Sequence, residues 1–239
     1  LTNTEAVELY GVDFGCRTAI IYSPEDLGCL WQKWMRHDPP ARSEGLIQRI
    51  IRANRIGVNV LAYATGREPP VKLNSSEDTN RKSRSRIRRG LIEIAQLRHK
   101  GGWDTAPKAL ENLLQGLNET IGIGVAPKRK TIPITLSELR RFPLAYMHGR
   151  YRFQLSQQER DALRDYLSRG PVLFADACCG STRFDRSFRD LMGQMFPDHP
   201  LQPIPVDHEL FSDVTGHRID RVRLRKMVAG AANAAMKSR

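Results

Sequence analysis

Residues 171–188 read PVLFADACCGSTRFDRSF, an apolar run followed by two adjacent cysteines, a glycine and a helical pattern. The segment VLFA, bounded by Pro171 and a polar turn, predicts a strand over 172–175. Ser181 or Thr182 then caps a helix whose apolar side is Phe184, Phe188, Leu191 and Met195, with Arg183, Arg186 and Asp190 facing outward. That stripe reads as core packing rather than as a cofactor box. A strand that runs directly into a helix is half of a βα unit, which points to a parallel sheet.

The flanking segments continue the alternation. Residues 143–147 (PLAYM) predict a strand ending in His148-Gly149-Arg150. Ser156 and Glu159 then form a capping box for a helix carrying Leu163, Tyr166 and Leu167, which Gly170 stops. Upstream, residues 91–97 (LIEIAQL) read as a strand that ends at Arg98-His99-Lys100-Gly101-Gly102. A helix from Pro107 places Leu110, Leu113, Leu114 and Leu117 at helical spacing. Short strands are expected at 121–125 and 132–134. Near the start, residues 18–22 (TAIIY) predict a buried strand closed by Ser23-Pro24-Glu25-Asp26, and Ser43 opens a helical pattern carrying Leu46, Ile47, Ile50, Ile51 and Val58 that continues toward Leu61 and Tyr63 and ends at Gly66. The expected fold class is a layered α/β/α domain with a mainly parallel sheet.

Composition supports a folded core: 40% of the 239 residues are hydrophobic. No run approaches the roughly 18 apolar residues that span a bilayer. The formal charge is +12, yet six of the cations (Arg81, Lys82, Arg84, Arg86, Arg88, Arg89) crowd into one polar segment, and Lys128-Arg129-Lys130 into another. Such runs are usually solvated linkers, so nucleic-acid binding through 81–89 is kept only as an alternative. The division expected is a partial α/β unit over 1–67, a basic linker over 68–89, the main domain over 90–225 and a tail over 226–239. Four cysteines with no C-x-x-C spacing suggest neither a disulfide scaffold nor a zinc motif. Cys16 and Cys29 can pair only if the fold brings them together.

In parallel sheets of this kind ligands sit outside the carboxyl ends of the strands. The polar strand ends nominate Ser23, Glu25 and Asp26, and as ligand-binding candidates Arg98, His99, His148, Arg150, Asp176 and Ser181. For the CCG turn, four readings stay open. A nucleophile elbow needs small residues two before and two after the nucleophile; with Cys178 in that role Gly180 complies and Asp176 does not. The catalytic candidates are Cys178, Cys179 and His208. An anion could sit at the helix N-terminus, although the turn has one glycine and no Walker lysine. A metal held by Asp176, a thiolate and His208 has no supporting spacing, so no metal or cofactor is expected. Finally, Asp176 and Ser181 can simply cap the backbone while small side chains pack.

Four stretches carry a resemblance: RHKGGWDTAPKALENLL (98–114), PLAYMHGRYRFQLSQQERDALRDYLSRG (143–170), FADACCGSTRFDRSFR (174–189) and FPDHPLQPIPVDHELF (196–211). They resemble the bacterial domain-of-unknown-function family numbered 4159, itself similar to the class I glutamine-amidotransferase-like group. The resemblance implies a flavodoxin-like fold and no assigned activity. GCRTAIIYSPEDLGCLW (15–31) and GVNVLAYATGR (57–67) resemble the segment that normally closes such a domain, yet here they come first. Either the chain is cut from a tandem protein, the arrangement favoured here, or the two parts fold together in permuted order. Amidotransferases use Cys with His-x-Glu; here Glu209 follows His208 directly and position 210 is Leu. Adjacent side chains on an extended segment face opposite ways, so Glu209 is poorly placed to orient His208.

The functional expectation is a non-catalytic α/β module that binds a small ligand or a protein partner within a larger bacterial protein. The rival is a cysteine-dependent hydrolase using Cys178 or Cys179 with His208. A cell-envelope or periplasmic setting requires an upstream export signal, which this stretch does not reveal.

Overall fold

Apolar runs of four to seven residues become strands, and the segments with helical spacing become the helices that cover them. In the computed structural model, residues 9–33, 41–66, 93–120 and 129–219 are described, without the side chains of 117–120. The order is β1 (Tyr10–Phe14), β2 (Arg17–Ser23), α1 (Gly28–Lys33), α2 (Glu44–Thr65), β3 (Ile94–Leu97), α3 (Ala109–Thr120), β4 (Lys130–Ile132), α4 (Leu136–Leu139), β5 (Leu144–Gly149), α5 (Gln157–Ser168), β6 (Val172–Ala177), α6 (Thr182–Met195) and β7 (Gln202–Pro203). The strand expected at 121–125 and the basic run at 81–89 lie outside the described residues.

Among the described residues, seven strands form one sheet in the order β4-β3-β5-β6-β2-β1-β7. The pairs β4–β3, β3–β5, β5–β6 and β6–β2 are parallel, while β1 runs antiparallel to both β2 and β7. Counted from β3, the five parallel strands stand in the flavodoxin order 2-1-3-4-5, with β2 in the final place although it precedes the others in the chain. Residues 17–23 and 172–177 thus share one ladder: Ile20 pairs with Leu173 and Ser23 with Asp176.

Strand periodicity divides the core between two faces. Tyr146 and Phe174 pack under Trp31, Ile50, Ile56, Leu110 and Leu113 of α1–α3. Their neighbours Ala145, Met147, Leu173 and Ala175 pack under Leu163 and Tyr166 of α5 and Phe184 and Phe188 of α6. The chain is therefore a layered α/β/α, flavodoxin-like domain. Ser156 closes the expected capping box on α5, accepting from Glu159 N–H while the Glu159 carboxylate accepts from Ser156 N–H at 2.7 Å. Among the described residues no helix is long and apolar enough to cross a membrane.

Candidate functional site

The β6–α6 turn gains its shape from one residue. Successive side chains on a strand point to opposite faces, so two adjacent cysteines would ordinarily diverge. Cys179 instead adopts φ 57° and ψ 24°, the only positive φ outside glycine among the described residues. Left-handed backbone disfavours a side chain, so the surrounding contacts must hold it there. The bend lets both sulfurs converge on Cys29 of α1: Cys29 Sγ lies 3.2 Å from Cys178 Sγ and 3.0 Å from Cys179 Sγ. The two neighbours are 3.9 Å apart. The bent residue is thus Cys179 rather than Cys178, and the residues two before and two after it, Ala177 and Ser181, are both small.

Asp26 holds the cluster from the β2–α1 loop. Its Oδ1 accepts from Cys179 N–H at 2.8 Å and from Cys29 N–H at 3.2 Å, tying the carboxylate to both cysteine backbones. One ligand atom from each of Asp26, Cys29, Cys178 and Cys179 falls within 4.8 Å of the others. Asp176 sits directly below, fully buried, accepting from Leu27 N–H at 2.9 Å and Gly28 N–H at 2.8 Å and from Tyr146 Oη at 3.3 Å. It therefore anchors the start of α1, not of α6. Burial, with the Asp26 charge, pushes its carboxyl up to about 8 despite those donors.

Two of the thiols are shifted upward as well. The hydrogen bond with Cys178, followed by burial and Asp26, drives the Cys29 thiol far above the ordinary range. Burial and the bond to Cys29 raise Cys179 to about 11. Both favour the protonated form, opposite to what a thiolate nucleophile needs.

The switch point of the sheet falls between β3 and β5, and the loop after β3 closes over it. Gly101 C=O accepts from Arg150 and Tyr151 N–H, each at 2.9 Å. His99 donates from Nε2 to His148 C=O at 3.0 Å and accepts at Nδ1 from Gly101 N–H at 3.0 Å, which sets a neutral tautomer. His148 is completely buried beside Tyr146, Asp176 and Gly28. Burial lowers both imidazoles to about 4. Arg98, Arg150 and Tyr151 are exposed around this crevice. Ser181 accepts from Phe184 N–H as the cap of α6 and donates to Arg150 C=O at 2.6 Å.

His208 is not part of this edge. Its Nε2 lies 3.2 Å from Thr18 Oγ1, its Nδ1 accepts from Leu210 N–H, and its ring packs near Tyr63. Thr18 is five positions before Ser23 in β2, which at about 3.3 Å per residue puts His208 roughly 16 Å from the carboxyl end. The pairing of His208 with Cys178 or Cys179, and the metal set of Asp176, a thiolate and His208, are therefore not assembled. Both Asp176 oxygens are already engaged by α1. Cys16, exposed in the β1–β2 turn, likewise does not meet Cys29, and all four cysteines are free thiols. Asp26 was visible as a polar strand end, but its partnership with Cys29 was not. Those two share no motif spacing with residues 178–179, about 150 positions away.

Fold and edge together define a flavodoxin-like α/β domain with a cysteine-lined elbow at the carboxyl ends of its strands. The family model described as a domain of unknown function (DUF4159) matches residues 93–230, more than half of the chain, and the chain belongs to that family. The match starts at β3, so β1, β2, α1 and α2, with Asp26 and Cys29, lie outside it. No match among curated proteins is found.

Proposed function

We propose that the domain is a non-catalytic binding module whose ligand or protein partner docks at the carboxyl edge of the sheet, around Arg98, His99, His148, Arg150, Asp176 and Ser181. The observation that carries this reading is the state of the elbow thiols. The elbow sulfurs lie against Cys29, the Cys179 thiol is held in its protonated form, and among the described residues no imidazole is bonded to either. A hydrolase at Cys178 or Cys179 needs a base within hydrogen-bond reach, and His208 is bonded to Thr18 instead. The amidotransferase likeness adds fold and no chemistry, because Leu210 stands where its glutamate would be. The same reading takes residues 9–66 as the closing part of this domain in permuted order, supported by the β2–β6 ladder.

The test is iodoacetamide labelling of the native, reduced chain in the presence of a chelator, followed across pH. Neither Cys29 nor Cys179 is expected to titrate below ~8.5, the ordinary cysteine value. A single fast-reacting thiol titrating well below that value would replace the binding module with the cysteine hydrolase.

A further inference from the structure

Three sulfurs and a carboxylate converging from three separate segments is an arrangement that packing alone does not require. Cys29 comes from α1, Asp26 from the loop before it, and Cys178 and Cys179 from the elbow, where the left-handed Cys179 is what turns the third sulfur inward. A disulfide would use two of these sulfurs and leave the third thiol and the carboxylate unexplained. The donor set matches a metal ion that favours sulfur and four-fold coordination. A tetrahedron with metal–sulfur bonds of about 2.3 Å has sulfur–sulfur edges of about 3.8 Å. The Cys178–Cys179 edge of 3.9 Å already fits, and the two edges from Cys29, at 3.2 and 3.0 Å, need to open by less than about 1 Å. Calcium and magnesium ask for six or more oxygens and are poorly served by three thiols.

We infer that Asp26, Cys29, Cys178 and Cys179 form a closed tetrahedral zinc site. Each cysteine that binds releases its proton to solvent, and the ion replaces the crowded thiol contacts with bonds to a common centre. With all four positions filled by protein, the ion is structural: it clamps the start of α1 to the β6–α6 turn and so joins the part of the chain outside the family match to the part within it. Asp176, holding Leu27 and Gly28 N–H from below, is a positioning residue for the clamp. Cys16 has no share in it.

The experiment uses the full chain, reduced, stripped with chelator and then given Zn2+ or Co2+ alone. One ion per chain is expected, with Co2+ showing intense thiolate-to-metal charge transfer and the d–d absorption of a tetrahedral centre. Cys179→Ser, a near-isosteric change at an exposed position, should lower zinc affinity more than about tenfold and weaken the charge-transfer band by about a third. Cys16→Ser should change neither. The site is refuted if the reduced chain takes up no metal, if cobalt binds with an octahedral spectrum, or if Cys179→Ser binds as tightly as the parent. The labelling test above uses metal-free thiols, so the binding-module reading and the zinc site can fail independently.

Discussion

His148 and His99 spend their charge on being buried. Both imidazoles are held down to about 4 against an ordinary value of 6.5, first of all by burial. A folded value below the unfolded one means the unfolded chain takes up protons first. The stability these groups contribute is therefore complete above pH 6.5 and is lost as pH falls toward 4, by about 1.4 kcal/mol per pH unit for each proton. Asp176 acts in the opposite sense. Raised from 3.8 to about 8, it favours the folded state below 3.8 and loses that advantage as pH rises through 8, so across the acid window it offsets one histidine. The expected net result for the chelated, reduced protein is a loss of about 1.4 kcal/mol per pH unit on acidification between pH ~6.5 and ~4.5. His148→Gln removes one proton from the balance and should leave the profile nearly flat, a difference readable from urea midpoints across pH. An unchanged slope would show that His148 ionises as freely folded as unfolded.

The contact between the ends of β3 and β5 depends on a missing side chain. A Cβ on Gly149 would overlap Gly101 O and approach Phe184 at 2.9 Å. Gly101 O is the acceptor that Arg150 and Tyr151 share, so a methyl group there would lift the whole loop off the switch point. Gly149→Ala should cost about 1–3 kcal/mol in chemical denaturation, the usual penalty for overfilling a packed site. Gly45→Ala, in the first turn of α2 with nothing within 4 Å, should be neutral or slightly stabilising, because alanine is the better helix former. Equal effects of the two would mean the crevice yields freely. α6 illustrates a different economy: Ser181 both caps the helix and bonds Arg150 C=O, so one hydroxyl fastens the elbow to the end of β5.

The sheet is completed by strands from opposite ends of the sequence. β6 lies between β5 and β2, and α1 and α2 cover the face formed by Tyr146 and Phe174. A fragment of residues 90–239 keeps the family match but loses β2, leaving β6 with a bare edge and Trp31, Ile50, Ile56 and Leu61 gone from the core. It should fail to unfold cooperatively in urea and should aggregate, whereas the full chain should show one sigmoidal transition. A cooperative transition in the fragment would make residues 9–66 an accessory rather than the closing part of the domain.

Local patterns made much of this legible. VLFA and PLAYM announce β6 and β5, S-x-x-E announces α5 with its capping box, and the Phe184–Met195 stripe announces the buried side of α6. Each is decided within one element, where period 2 or 3.6 and a cap report directly on burial and hydrogen bonding. Ser43 was legible as the cap position of α2 for the same reason, and the pattern running on toward Leu61 and Tyr63 reached nearly to the helix end at Thr65. The site was only half legible: the CCG turn and Asp26 stood out as polar strand ends, while the left-handed bend at Cys179 and the meeting with Cys29 did not. By itself the sequence determined an α/β domain whose strands end in polar loops. Tertiary structure alone decided that β2 takes the last place of the parallel order, that His208 lands at the opposite edge, and that Cys29 meets the elbow. Such meetings depend on which strands pair and in what register, and ladder pairing between residues some 150 positions apart leaves no periodic trace in the chain.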